Sequence, residues 1–354
     1  MKIKNNKQRK IGVIGHFGGN ENILDGQTIK TKILYNELRN LTKWSIFKVD
    51  TYYKKKSPIK LALNTFKCIH SCKDIVVLLS GNGMKVYFPL LYFYTKIFNL
   101  RVYHDVIGGN LDNYVCKIPR FKKYLNSFQV NWVETASMKK KLLELGVNNC
   151  EVLPNFKRLN IITEQVGKIN VVNEPYKFCI FSRVMREKGI ETAINAIELI
   201  NKNVGRKICE LDIFGRIDDE YKIEFNKIMK QVTNAIKYKG EVPYDKSVET
   251  IKDYYALLFP TFWVGEGFPG TIIDAFSAGL PVVATDWNCN GEIIDNMVNG
   301  ILYPNDEIKD LKDAIEWMIA HKKEMMLMKE NSIRTAKNYQ PDKYIKKIID
   351  KINN

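Results

Sequence analysis

Nowhere in its 354 residues does this chain hold an apolar run able to cross a bilayer. The longest, residues 86–94, is interrupted by Pro89, whereas a spanning helix needs about 20 residues. The basic start, MKIKNNKQRK, is followed only by IGVIG before glycines and polar residues intervene. That is too short for a secretory signal core, so a cytoplasmic location is expected. Cysteine is sparse and odd in number, seven scattered residues, which fits reduced thiols rather than a disulfide framework. Histidine is rarer still, with four. Cys68 and Cys72, with His70 between them, imitate a metal site. Their spacing puts both sulfurs on one helix face and His70 on another, and no second ligand cluster exists. Core packing is therefore expected there, and no metal. No internal repeat or low-complexity tract is present, and 45% hydrophobic with 27% charged residues argues against disorder.

What the chain has in excess is positive charge, and on one side only. Residues 1–165 carry 28 Lys and Arg against 11 Asp and Glu, while 166–354 carry 27 against 28. A one-sided surplus points to an anionic partner for that half. Short apolar runs alternate with amphipathic stretches throughout, the pattern of a doubly wound α/β sheet. Strands are predicted over 10–15, 46–50, 74–79, 101–105, 128–134 and 150–154, with helices over 28–41 and 138–145. The alphabet restarts with strands over 177–181, 210–214, 236–240, 255–260 and 281–285, and helices over 189–201, 219–233, 271–278 and 310–321. The length suits two domains. Their expected limits are 1–166 and 176–338, joined by a polar linker over 167–175, with a C-terminal helix over 339–354 available to pack back on the first domain.

The segment richest in chemistry is PTFWVGEGFPGTIIDAFSAGLPVVATDW, residues 260–287. A strand ends, a glycine-rich loop follows, and a helix begins near Thr271. Amides at a helix start favour an anionic or hydroxyl-rich ligand. Glu266 and Asp274 could both face it, and carboxylates are natural acceptors for sugar hydroxyls. The plainer alternative is a capping box at Thr271–x–x–Asp274 with Glu266 in solvent. In FSRVMREKGIETAINAI, residues 181–197, Arg183 follows a strand and Lys188 precedes Gly189 at a helix start. Two convergent cations could neutralise a diphosphate; a solvated basic loop is the competing reading. Gly12, Gly15 and Gly18 do not have the G-x-G-x-x-G spacing of a dinucleotide fold. A loop leading to Gly26-Gln27-Thr28 at the first helix start is preferred.

These segments resemble the retaining GT-B glycosyltransferases of family 4, group 1, of the bacterial polysaccharide or capsule type. The loop is similar to their E-x₇-E region, with ATDWNCNGEIIDNMVNGILYP trailing it, and Arg183 to Gly189 to their R-x₄-K-G signature. The resemblance implies two Rossmann-like domains facing a cleft. It implies Glu266 on the donor sugar, Asp274 on the ribose, and amides of Gly267, Phe268, Gly270 and Thr271 along sugar and diphosphate. Asp274 stands where glutamate is usual. Arg183 and Lys188 would hold the phosphates, with Arg186 at the surface; Gly215, in LDIFGR, would lie beside the base. Gly26 and Gln27 would meet the donor phosphates and acceptor, and His104, in VYHDV, would line the cleft. The implied reaction moves a hexose or N-acetylhexosamine from a nucleotide diphosphate sugar, UDP by the family's habit, with retention and no protein nucleophile. It needs no metal or cofactor, the nucleotide sugar being a substrate.

The lysines Lys54, Lys55, Lys56, Lys122 and Lys123 lie in the basic half with the aromatic stretch YFPLLYFYTKIF, residues 87–98. Together they suggest an anionic membrane surface at the inner face of the plasma membrane and a lipid-linked oligosaccharide acceptor. A buried helix with solvated lysines outside is the bland alternative. Two rivals to transfer remain: a nucleotide-sugar epimerase of the same fold, and a nucleic-acid binder. The first lacks the usual acid–base histidines and carboxylates. The second leaves the Glu266–Asp274 and Arg183–Lys188 pairs unexplained, so no nucleic-acid partner is expected.

Overall fold

A computed structural model describes residues 9–21, 25–162, 174–304 and 307–354. The chain forms two compact units. One runs up to Phe156 and is completed by Pro341–Asn354; the other is Lys157–Gln340. In the first, strands β1 (Lys10–Gly15), β2 (Ser45–Asp50), β3 (Asp74–Leu78), β4 (Arg101–Asp105), β5 (Val130–Val133) and β6 (Cys150–Val152) form a parallel sheet ordered β2-β1-β3-β4-β5-β6. Between them come α1 (Gly26–Leu41), α2 (Pro58–Ser71), α3 (Gly81–Ile97), α4 (Leu111–Lys117), α5 (Arg120–Leu125) and α6 (Ala136–Glu144).

The second unit repeats the plan. Its strands are β7 (Tyr176–Phe181), β8 (Cys209–Phe214), β9 (Ile236–Gly240), β10 (Ala256–Phe259), β11 (Val282–Thr285) and β12 (Gly300–Tyr303), ordered β12-β11-β10-β7-β8-β9 and all parallel. The helices are α7 (Ile190–Val204), α8 (Lys222–Met229), α9 (Ser247–Ile251), α10 (Gly270–Ser277), α11 (Ile308–Ala320) and α12 (Lys322–Ala336). The last helix, α13 (Pro341–Asn353), belongs to the first unit.

Both sheets are covered on both faces, which is why their central strands read as unbroken apolar runs. In β3, Ile75 and Val77 point to the side of α2 and α3, while Val76 and Leu78 point to the side of α1 and α13. The helices are amphipathic to match. In α7 the buried positions Ile190, Ala193, Ile194, Ile197 and Ile200 follow helical spacing, and Gly205 ends the helix in left-handed backbone at φ 74°. Helix α13 buries Tyr344, Ile345, Ile348 and Ile352 in the cluster that holds Leu34 and Leu38 of α1.

Three expectations change. The first unit ends at Phe156 rather than 166, because the Ile162 amide donates to the Ser277 carbonyl at 3.0 Å and ties that stretch to the second unit. Of the expected linker, 167–173 lie outside the described residues. The helix expected over 219–233 is only α8, since Asp218 turns back toward Arg183 before it starts. Strand β12 was not foreseen: four residues at a sheet edge carry no alternation. Its Gly300 lies against the Val282 carbonyl, 2.3 Å from where a Cβ would stand.

Candidate functional site

In the second unit the carboxyl ends of β7, β8 and β10 are drawn together by two glycines. At Gly189, φ is 66° and a Cβ would stand 1.9 Å from the Pro260 carbonyl oxygen. At Gly215, φ is 134° and a Cβ would stand 1.8 Å from the Ser182 carbonyl oxygen. No other residue type fits either contact. The Ser182 amide donates to the Phe214 carbonyl at 3.1 Å, and the Phe262 amide to the Glu187 carbonyl at 2.9 Å. Loops after three strands are thereby stitched at the end where such sheets bind ligands.

Lys188 is carried inward by this turn. Its ammonium is buried, donates to the Glu266 carboxylate, and lies 5.3 and 5.0 Å from the ring centroids of Phe259 and Trp263. The same Glu266 oxygen accepts from Thr261 Oγ1 at 3.1 Å. Neither Lys188 nor Glu266 is the solvated loop residue that the plainer readings allowed. A second loop straps the first: Trp287 Nε1 donates to the Trp263 carbonyl at 3.0 Å, Asn288 Nδ2 to that of Glu266 at 2.6 Å, and Cys289 Sγ to that of Gly267 at 2.9 Å. Arg183 is about half exposed, with its guanidinium 3.6 Å from Asp218. Arg186 is at the surface, paired with Glu224.

Helix α10 begins at Gly270, after Pro269. The capping box of the plainer reading does not form. Thr271 Oγ1 donates to the Phe181 carbonyl at 2.6 Å, docking the helix start on the end of β7. Asp274 is buried with both oxygens engaged, Oδ2 by Lys157 Nζ at 2.6 Å and Oδ1 by Ser247 Oγ at 2.8 Å. Phe268 turns its ring edge-on to Tyr339, with centroids 5.2 Å apart. Lys157, Ser247, Thr261 and Trp263 were missed. Lys157 lies 117 residues from its partner, in a segment with no local pattern to mark it.

In the first unit, Gly26 starts α1 as expected, capped by Asp25, which accepts from the Thr28 amide at 2.8 Å. Gln27 Nε2 donates to the Leu78 carbonyl at 3.5 Å. His104, expected to line a cleft, is instead a core group. It is fully buried, edge-on to Phe88 at 5.0 Å, with Nδ1 3.1 Å from Asn131 Oδ1. Burial pushes its pKa down to about 4. Beside it, buried Lys30 reaches Asp105 and Glu134, each at 2.8 Å, and the Val106 carbonyl at 2.7 Å. Burial, opposed by Lys30, pushes Asp105 up to about 6. Of the expected surface lysines, Lys54, Lys55 and Lys122 are exposed, Lys56 pairs with Glu21 at 2.7 Å, and Lys123 stacks 5.1 Å from the centroid of the Tyr92 ring.

Comparison with known proteins agrees with this layout. Residues 162–335, just under half of the chain, match the family model described as Glycosyl transferases group 1. An uncharacterized glycosyltransferase of Methanocaldococcus jannaschii is 24% identical over 229 residues, covering 62% of this chain and 57% of that protein. The poly(glycerol-phosphate) alpha-glucosyltransferase of Bacillus subtilis is 28% identical over 178 residues, covering 50% of this chain and 26% of that protein. The chain thus spans less than two thirds of the length of either relative. Among solved structures, Anabaena HepE in complex with UDP and glucose superposes with a TM-score of 0.72 at 13% identity, over 98% of this chain and 99% of that one. At that identity the likeness is one of fold, and the fold is GT-B.

Proposed function

We propose that this protein is a glycosyltransferase that takes a hexose or N-acetylhexosamine from a nucleotide diphosphate sugar and transfers it, with retention, to a hydroxyl of a lipid-linked acceptor. The observation that carries the reading is the buried Lys188–Glu266–Thr261 cluster at the strand ends of the second unit. Burying a cation and a carboxylate where water could have held both is costly unless they meet a ligand or each other. An ammonium has three donors. One serves Glu266, leaving donors for diphosphate oxygens. Charge accumulates on the departing diphosphate, so a fixed cation there lowers the barrier most. Arg183 adds a forked contact from the rim, and the amides at the start of α10 meet the same charge. Glu266 then accepts a hydroxyl of the sugar, and the leaving phosphate assists attack from the same face.

UDP is the nucleotide favoured, because a neighbour of the same fold was captured with UDP and glucose. A polymer product is favoured by the Bacillus relative, whose described acceptor is poly(glycerol phosphate). The basic first unit would bring the acceptor from the inner face of the membrane; among the described residues no helix is long and apolar enough to cross one. Purified protein incubated with a panel of nucleotide sugars should hydrolyse one class slowly and transfer it faster when acceptor lipid is added. Release of nucleotide from none of them, or interconversion of the sugar without transfer, would refute the proposal.

A further inference from the structure

Two helix faces in the first unit are exposed among the described residues. Along α2, Ile59, Leu63 and Phe66 share one face and are 77%, 57% and 56% exposed. Along α3, Val86, Phe93 and Ile97 do the same at 66%, 51% and 59%. The opposite faces, including Cys68 of α2 and Phe88 and Leu91 of α3, hold both helices on the sheet. Core packing explains one stripe of each helix and leaves the other unexplained. His70 lies between the two stripes, its ring centroid 3.9 Å from that of Phe66 and 6.2 Å from that of exposed Phe98, just past the end of α3. Single exposed apolar residues are ordinary on a protein surface, but a joined set of this size marks an interaction site.

The charge around the stripes states what they meet. Residues 51–104, which contain both helices, carry nine Lys or Arg and one acid, Asp74. Asp74 is buried and held by Arg9 at 2.9 Å and Arg101 at 2.6 Å, so no negative charge of this segment reaches the surface. At 100° per residue, Lys60 and Lys67 flank the stripe of α2, and Lys85 and Lys96 flank that of α3. All four are exposed, and none is paired with an acid among the described residues. Lys54 and Lys55 add to them just ahead of α2.

We infer that this surface docks the first unit onto an anionic lipid bilayer, the stripes entering the headgroup boundary and the lysines resting on lipid phosphates. A nucleic acid would satisfy the lysines but give Phe66, Phe93 and Ile59 nowhere to go. A second copy of the chain, packed face to face, would set lysine against lysine. The inference deepens the membrane part of the proposed function and does not depend on the donor chemistry.

The test uses the full chain and phosphatidylcholine vesicles with or without phosphatidylglycerol, with nucleotide-sugar hydrolysis measured in parallel. The protein should sediment with the anionic vesicles at low salt and be released by high salt. Combining Phe66→Glu, Phe93→Glu and Ile97→Glu should abolish sedimentation at low salt. Replacing Lys60, Lys67, Lys85 and Lys96 by Gln should weaken it about fivefold per lysine, with loss of the salt dependence. Hydrolysis and the thermal midpoint should be unchanged in both variants, since every substituted side chain is exposed. Failure of the parent protein to sediment with anionic vesicles, or sedimentation of the triple variant at the parent level, would overturn the inference. So would light scattering that shows a lipid-free dimer split by the triple variant, which would make the surface a contact between copies. Donor hydrolysis without vesicle binding would leave the transferase reading standing alone.

Discussion

At the scale of single residues, Lys188 and Glu266 depend on each other. Lys188→Ala strands a buried carboxylate, and breaking a buried pair in this way costs about 3–5 kcal/mol. The expected result is a clear fall in the thermal midpoint, largely restored in Lys188→Met with Glu266→Gln. On the proposed function, transfer should fall by about 10²-fold or more in both, as expected for loss of a fixed cation at the departing charge. A double variant that regains activity would sink the assignment. His104 gives a second expectation. Its folded pKa of about 4 lies below the 6.5 of the free side chain, so the unfolded chain takes up a proton that the folded chain refuses. The stability involved is present above pH 6.5 and drains away as the pH falls toward 4, by on the order of 3 kcal/mol. Below about pH 6 the neighbouring Asp105, raised to about 6 by burial, takes up a proton in the folded chain first and opposes this loss. The His104 part is therefore read as the difference in pH slope of urea unfolding between the parent and His104→Gln.

At the scale of elements, the two strand-end turns are the least forgiving parts of the second unit. Gly189→Ala drives a methyl into the Pro260 carbonyl and should displace Lys188, abolishing transfer even where protein is recovered. Gly205→Ala is the control. It also has positive φ but meets nothing within 4 Å, and should cost only about 1–2 kcal/mol with activity intact. The helix α10 carries another expectation. Lys157 and Ser247 take two of the roughly four acceptor positions of Asp274, so the KM of a 2′-deoxyribose donor tests whether a remaining position reads the ribose. A KM within about twofold of the ribose form means that it does not, and a much larger penalty, the size of a lost hydrogen bond to a charged group, means that it does.

These elements also mark how far the sequence could be read. Strand and helix order was legible because apolar runs and amphipathic periods alternate without interruption. Arg183, Lys188, Glu266 and the start of α10 were legible because each stands within a few residues of a strand end or a glycine. The engagement of Asp274 by Lys157 was not, nor was the sinking of His104 into the core. Both are set by packing between segments far apart in sequence, which no local spacing encodes. The surface on α2 and α3 was half legible. The stretch 87–98 reads as aromatic and aliphatic with a single cation, yet α3 turns Tyr87, Phe88, Leu91 and Tyr94 inward and Phe93 and Ile97 outward. The helix is thus buried on one face and exposed on the other.

At the scale of the whole molecule, the first unit is discontinuous. Helix α13 closes one face of its sheet from the far end of the chain. Ile352 lends its carbonyl to Arg101 at 3.1 Å, and Lys351 pairs with Glu151 at 2.7 Å. Ile348→Ala should cost about 2–5 kcal/mol, and the loss should surface in α1, more than 300 residues earlier in sequence. Hydrogen exchange checks this directly: protection should drop in α1 and β1 and hold in α7 and β8. Equal loss in both units would mean that α13 is not specific to the first.

The order of synthesis gives that helix a further consequence. The ribosome releases the second unit in one piece, whereas the first waits for its closing strip until residues 341–354 have been translated. Until those residues emerge the nascent protein carries an open greasy seam beside Leu34 and Leu38, and the unit begun first is completed after the second.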